Sequence, residues 1–291
     1  MEIIDTLVHL NDGGVEGALN IMDAVGVDAV VLDEWSGFAP NGVSRPHRVL
    51  PNGALRWVYP FSQEATRLYP GRFKYNVKID RNDPDWRSLV LDAAGDPHKV
   101  SVRISPRQHG AGIEALAGGE YDPILGLAQQ CELPVTLAIS GDLQVLDRIT
   151  RTFPHLRILL NHCGMLPRQA GVPIDREFPF RPLVEAMADR PGVHVQLCFA
   201  PQLAREPWPF PDLQAHLRRL ISAVGAERLI WGSSNPIGDG EYSWAEDVTY
   251  LRAPGFLSDA EQEWILGKSA RAFYRWPASA MSGRYRSPVA G

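Results

Sequence analysis

The sequence predicts an α/β protein built as a single (β/α)8 barrel with long loops over its C-terminal mouth. Two observations carry that expectation: eight short β-rich runs recur along the 291 residues, and segments with helical spacing separate most of them. A third narrows it. No GxGxxG turn follows the first run, which disfavours the competing architecture, an open doubly wound sheet with a dinucleotide site.

The runs come in a regular order. EIIDTLVHL (2–10) opens the chain and DAVVLDEW (28–35) follows. The next stretch, 36–72, is too rich in Pro, Gly and aromatics for one crossover helix; it is expected to hold a loop folded over the mouth and one helix near 61–69. FKYNVKID (73–80) and KVSVRIS (99–105) are the third and fourth runs. PVTLAIS (134–140) leads into a helix marked by Leu146, Ile149 and Phe153, with Asp142 as its expected N-cap. RILLNHC (157–163) starts a second long excursion at 164–182, and VHVQLCF (193–199) precedes a helix marked by Leu213, Leu217, Leu220, Ile221 and Val224. RLIWGSS (228–234) completes the set. Ser258 with Glu261 then forms a capping box for the last helix, which runs into WILGKSARAFY. Residues 1–281 are expected to form one domain, and 282–291, with nothing to bury, a disordered tail.

Composition narrows the function. Hydrophobic residues at 45% supply a core, and a net charge of -5 without any run of like charges argues against nucleic acid or an anionic membrane as partner. A small-molecule substrate is the better expectation, with a homodimer left open. The three cysteines, Cys131, Cys163 and Cys198, form no CxxC pair, so neither a disulfide framework nor a zinc knuckle is expected, and a reducing cytoplasm fits. The first residues lack a signal-peptide pattern, and no segment approaches eighteen consecutive apolar residues.

Barrel enzymes build their sites where strands end. Alternation sends Leu7 and His9 in one direction, and the other strand-end residues are Asp33, Glu34, Lys78, Asp80, Arg103, Ala138, Ser140, His162, Gln196, Cys198, Ser233, Ser234 and Asn235. Aromatic residues gather near the same ends: Trp35, Phe38, Trp57, Tyr59, Phe61, Phe178, Phe180, Phe199, Trp208, Phe210 and Trp231. They are able to stack on a ring-bearing substrate or to pack the loops onto the barrel.

Six segments together resemble the amidohydrolase superfamily, in particular its amidohydrolase-2 branch of lactonases, decarboxylases and hydratases. IDTLVHL is similar to the branch's IDTHxH opening, LPVTLAIS to LPVxxH, PHLRILLNHCG to PxLRIVLxHxG, PGVHVQL to NVYVKLSG, GAERLIWGSSNP to GxERLxFGSDWP, and ILGKSARAFY to ILGxNAxxLY. The resemblance covers nearly the whole chain and implies the barrel. It also implies a mononuclear metal site of two histidines, a third histidine and an aspartate, and those places hold Leu7, His9, Ala138 and Ser234. A lone imidazole beside Leu and Ala does not hold a divalent transition metal tightly, so an empty metal site and no cofactor are expected. Asp33, Glu34, His47, His109 and Cys198 stand as replacement ligands, without the spacing of a ligand pair.

The chemistry left to the chain is acid/base work. His162 matches the histidine that, in the branch, polarises the substrate or relays a proton, and with His9 it forms the candidate catalytic pair; the alternative for both is a hydrogen-bonded core histidine. Arg103, Lys78, Glu34, Gln196, Ser234, Asn235 and Trp231 are the candidate substrate-binding residues. Arg103 would grip a substrate carboxylate, as a similar strand implies for relatives acting on pyrone dicarboxylates, or else pair internally with Asp33, Glu34 or Asp80. A metal-independent enzyme acting on a small cyclic or carbonyl compound follows, with lactone or amide hydrolysis the family-weighted reaction. Decarboxylation, dehydration, cyclisation and isomerisation are its alternatives, and a catalytically silent binding or scaffold barrel is the competing class.

Overall fold

Strands β1 (Ile4–Val8), β2 (Ala29–Leu32), β5 (Phe73–Lys78), β6 (Lys99–Ile104), β7 (Val135–Leu137), β8 (Ile158–Leu160), β9 (Val193–Leu197) and β10 (Leu229–Trp231) pair in that order, all parallel, in one eight-stranded sheet. The sheet is closed by a parallel bridge from Val8 to Asn235, completing a TIM barrel. The computed structural model describes residues 1–10, 13–34, 47–106, 112–139, 141–164, 177–235 and 242–277. Trp35, Phe38, His109, Ser140 and the 282–291 tail therefore lie outside the described residues.

Helices cover the outer faces of the strands, which are apolar, while the inner faces carry apolar residues at the floor and polar ones above it. Val30, Leu32, Phe73, Val102, Val135, Ile158, Val193 and Leu229 join the outer core with helix residues such as Leu19, Leu125, Ile149, Leu217 and Val248. Ile4, Ala29, Val31, Leu159 and Ile230 form a separate cluster with Phe273, Tyr274 and Trp276, so the last helix contributes to a hydrophobic floor. That helix passes so close to the first strand that a Cβ on Gly267 would meet the Glu2 carbonyl oxygen at 2.5 Å, which excludes any larger residue there. Among the described residues no helix is long and apolar enough to cross a membrane.

Three local expectations can be compared directly. The helix anticipated near 61–69 spans Pro60–Leu68, and the Ser258–Glu261 capping box is formed by both side chains. Asp142 is not the N-cap of its helix: the helix covers Val145–Thr152, with Gln144 at the cap. The 36–72 stretch also contains an antiparallel hairpin, β3 (His47–Val49) with β4 (Leu55–Trp57), turning at Gly53 with φ +83°. Asp80 fastens this hairpin by accepting the Leu55 N–H at 2.9 Å, so it is not the partner of Arg103.

Candidate active site

The barrel's closing seam and its polar site coincide. Buried Asp5 accepts the N–H of Leu7 at 3.0 Å and of Ser233 at 2.9 Å through one oxygen, and the Trp244 indole N–H at 2.8 Å through the other. Burial lifts its pKa to about 6 against the pull of those bonds. The irregularity in β1 pairing falls between Asp5 and Val8, where the strand shifts its register. Beyond it Ser234 donates its N–H to Leu7 O at 2.7 Å and His9 its N–H to Asn235 O at 2.8 Å. Ser234 is held at φ +60°, a left-handed conformation uncommon outside glycine.

His9 is fixed by two contacts. Its Nδ1 lies 2.6 Å from the Asp33 carbonyl oxygen, an atom that only accepts, so Nδ1 carries the proton. In the neutral ring Nε2 then holds a lone pair, and Ser234 Oγ lies 3.2 Å from it, able to donate. Burial lowers the His9 pKa to about 4, opposed by the Asp33 carboxylate, whose Oδ2 is 3.9 Å from Nδ1. The imidazole is neutral at neutral pH, with Nε2 able to accept a hydrogen bond.

Asp33 organises the cations. Its Oδ2 pairs with Arg103 Nη1 and, at 3.1 Å, with Lys78 Nζ, all three side chains being buried. Burial alone would raise the Asp33 carboxyl, but Arg103 and Lys78 together outweigh it and hold it well below the usual carboxylate range. Burial depresses the Lys78 pKa, with Asp33 opposing. The Lys78 ammonium also donates to the Glu34 carbonyl, and the Lys78 N–H donates to the Tyr59 hydroxyl at 2.6 Å.

Beneath these groups runs a polar layer that sequence reasoning did not assemble. Arg103 Nη2 donates to Asn161 Oδ1 at 2.9 Å, Asn161 Nδ2 donates to Gln196 Oε1, and Gln196 Nε2 donates to Thr6 Oγ1 at 2.9 Å and Thr6 O at 3.0 Å. Thr6 Oγ1 closes the chain on Trp231 O at 2.7 Å. Thr6 and Asn161 have the opposite parity from Leu7, His9 and His162, so alternation counted from those residues turns them outward; the register shift in β1 and the positive φ at His162 break that count.

His162 stands at the mouth with φ +53°, partly exposed, its ring centroid 5.0 Å from that of Phe199. Burial lowers its pKa to about 3, with the charge on Arg103 and a charged His9 adding to the effect. It and His9 therefore share one electrostatic neighbourhood. Leu7 packs with Cys198 and Phe199 in a small buried cluster, and burial pushes the Cys198 thiol pKa well above its ordinary value.

The structure gives most of the candidate substrate-binding side chains partners within the protein. Glu34 turns its carboxylate to the Ser62 N–H at 2.5 Å, capping the Pro60–Leu68 helix, because the four N–H groups opening a helix need acceptors. Gln196 spends both ends of its amide inside the polar layer. Trp231 is fully buried on the helix side with Leu229, Leu197 and Val248, since strand alternation sends Ile230 inward and its neighbours outward. For Arg103 the internal pair with Asp33 is the arrangement present, and only Nε is left without a partner. Asn235 acts through its backbone, donating to Ser233 Oγ at 2.9 Å. Of the aromatic residues, Phe199 meets His162 and Tyr59 meets Lys78, whereas Phe210 packs on Tyr250, Phe178 neighbours Phe180, and Trp208 is 46% exposed.

The donor set does not fit the metal that the fold family implies. Leu7 and Ala138 offer no lone pair, Ser234 replaces a carboxylate, and both His9 nitrogens face protein partners. The described residues contain no group of three His, Cys, Asp or Glu side chains able to hold a metal ion, and His47 lies in the hairpin.

Comparison with known proteins agrees with this architecture. A family model described as amidohydrolase matches residues 17–276. L-fucono-1,5-lactonase of Burkholderia ambifaria is 29% identical over 216 residues, which is 68% of this chain and 68% of that protein. A probable 2-pyrone-4,6-dicarboxylic acid hydrolase of Acinetobacter baumannii, solved with citric acid bound, superposes with a TM-score of 0.70 at 17% identity, over 94% of this chain and 100% of that one. An amidohydrolase of Burkholderia multivorans with bound zinc gives 0.71 at 17% identity, over 95% of this chain and 100% of that one. At such identities the two structures speak for the fold.

Proposed function

From the premise that this chain belongs to the amidohydrolase family, we propose that it is a metal-independent hydrolase that opens a small, uncharged lactone. The observation that carries this reading is the His9 tautomer: with Nδ1–H committed to the Asp33 carbonyl, Nε2 is a fixed proton acceptor at the barrel mouth. Attack on a lactone carbonyl needs such a base, and the charge that develops on the carbonyl oxygen needs positive charge nearby, which Lys78 and Arg103, two cations on the one Asp33 carboxylate, would supply. His162 is the second imidazole of the pair and shares the proton traffic at the mouth.

Substrate charge is argued from Arg103. A guanidinium that recognises a carboxylate presents two parallel N–H bonds, and here Nη1 and Nη2 are closed on Asp33 and Asn161. An uncharged ring ester therefore suits the site better than a dicarboxylate, in keeping with the lactonase relative. The test is a panel of aldonolactones including L-fucono-1,5-lactone, followed by proton release. Turnover lost in His9→Gln supports the reading; a folded protein that leaves every lactone at its uncatalysed rate contradicts it and favours a silent barrel.

A further inference from the structure

We propose that Ser234 is a catalytic nucleophile and that the reaction passes through an acyl-enzyme on its Oγ; the proposal rests on the hydrolase reading above and names the atom that attacks. Serine reacts as a nucleophile when an adjacent base takes its proton and a third group fixes that base. All three parts are present. Ser234 Oγ lies 3.2 Å from His9 Nε2, His9 Nδ1 lies 2.6 Å from the Asp33 carbonyl oxygen, and the Asp33 carboxylate stands 3.9 Å from Nδ1, where it stabilises the imidazolium once formed.

The backbone adds an independent argument. Ser234 adopts φ +60°, and it is pinned there by its own N–H on Leu7 O, by Asn235 N–H on Ser233 Oγ, and by His9 N–H on Asn235 O. A non-glycine residue held in this region just beyond a barrel strand is a strained arrangement, and such strain concentrates where a side chain must be aimed. Alternatives nearby are weaker, since burial keeps the Cys198 and Cys163 thiols protonated.

The steps balance. Ser234 Oγ bonds to the lactone carbonyl carbon while its proton passes to His9 Nε2. The tetrahedral oxyanion collapses, the bond from carbonyl carbon to ring oxygen breaks, and the departing alkoxide takes the proton from Nε2. Water then attacks the Ser234 ester, giving its proton to Nε2. The carboxylic acid leaves as Ser234 Oγ recovers that proton. Lys78 and Arg103 supply the positive charge that the oxyanion requires.

A small fluorophosphonate tests the assignment on the intact chain, with the adduct read by whole-protein mass and located by peptide mapping. One adduct on Ser234 of the wild-type protein, absent in Ser234→Ala and formed about 10²–10⁴-fold more slowly in His9→Gln, supports the proposal. Failure to label Ser234 in the folded wild-type protein overturns it, as does a Ser234→Ala variant that opens a lactone at the wild-type rate. The wild-type labelling decides the matter whatever the variants do to folding. A labelled Ser234 in a protein that opens no lactone would keep the nucleophile and overturn the substrate reading, so the two failures are distinguishable.

Discussion

The His9 imidazole joins two strand ends that the chain keeps far apart, reaching the Asp33 carbonyl at 2.6 Å with Nδ1 and the Ser234 hydroxyl at 3.2 Å with Nε2. Because a carbonyl cannot donate, this pair of contacts sets the tautomer without any metal to orient the ring. Replacing His9 by Gln removes the proton acceptor while keeping a polar side chain. Lactone turnover should fall by about 10²–10⁴-fold in kcat, with KM nearly unchanged, as measured by proton release. An equal loss confined to KM would assign His9 to binding.

The acidic limb of activity should lie well below that of a solvated histidine. Burial brings His9 from 6.5 to about 4, so the base stays unprotonated until the pH drops towards 4. A pH profile of kcat/KM should fall on the acid side near that value; a limb centred at 6.5 would mean the imidazole is hydrated. Stability follows the same sign: below 6.5 the unfolded histidines bind protons that folded His9 and His162 refuse, so their contribution is complete above 6.5 and declines as the pH falls towards 4 and 3. Asp5, raised to about 6, works the other way, and its contribution is lost as the pH rises from 3.8 through 6.

Removing Arg103 should weaken the buried ion cluster around Asp33. With Arg103→Met, Asp33 keeps only the Lys78 ammonium, and urea unfolding should show a loss of about 3–5 kcal/mol. Adding Asp33→Asn to this variant should cost less than the same change made in the wild-type protein, because one buried cation rather than two is then left without its carboxylate. Independent, additive losses would contradict the ion-pair account.

Restoring the missing ligands should restore a metal site. The variant combining Leu7→His, Ala138→His and Ser234→Asp gives, with His9, four N and O donors from three strand ends, and it should bind about one equivalent of zinc by titration. The three single variants should not. Failure of the combined variant would show that the strand ends no longer converge as the family's do.

Much of the barrel was legible because its signals are periodic and local. Inward and outward alternation marks each strand, and Ser258 and Glu261 cap a helix from positions three apart. The hairpin from His47 to Trp57 was overlooked although Asn52 and Gly53 form the turn, since three-residue strands offer too little alternation to register. At the site, the order of motifs brings His9, Asp33, Arg103 and Ser234 to one end of the barrel but says nothing of which atoms meet. That choice is made by hydrogen bonds across 24 and 225 residues of separation, and by a positive φ at Ser234 that its residue type does not announce. Trp231 and Glu34 differ in this respect: alternation alone turns Trp231 outward, whereas the Glu34 carboxylate is drawn to the open N–H groups of the Pro60–Leu68 helix, a contact that no local pattern encodes.

The most direct test of the account joins metal analysis and turnover on one sample. Protein purified without chelator is assayed for a lactone it opens, and its zinc, manganese and iron are measured by mass spectrometry before and after dialysis against a strong chelator. Hydrolysis driven by His9 predicts far less than one equivalent of any of these metals and an unchanged rate after dialysis. One equivalent of tightly held metal, with activity lost on its removal and regained on its return, would contradict it.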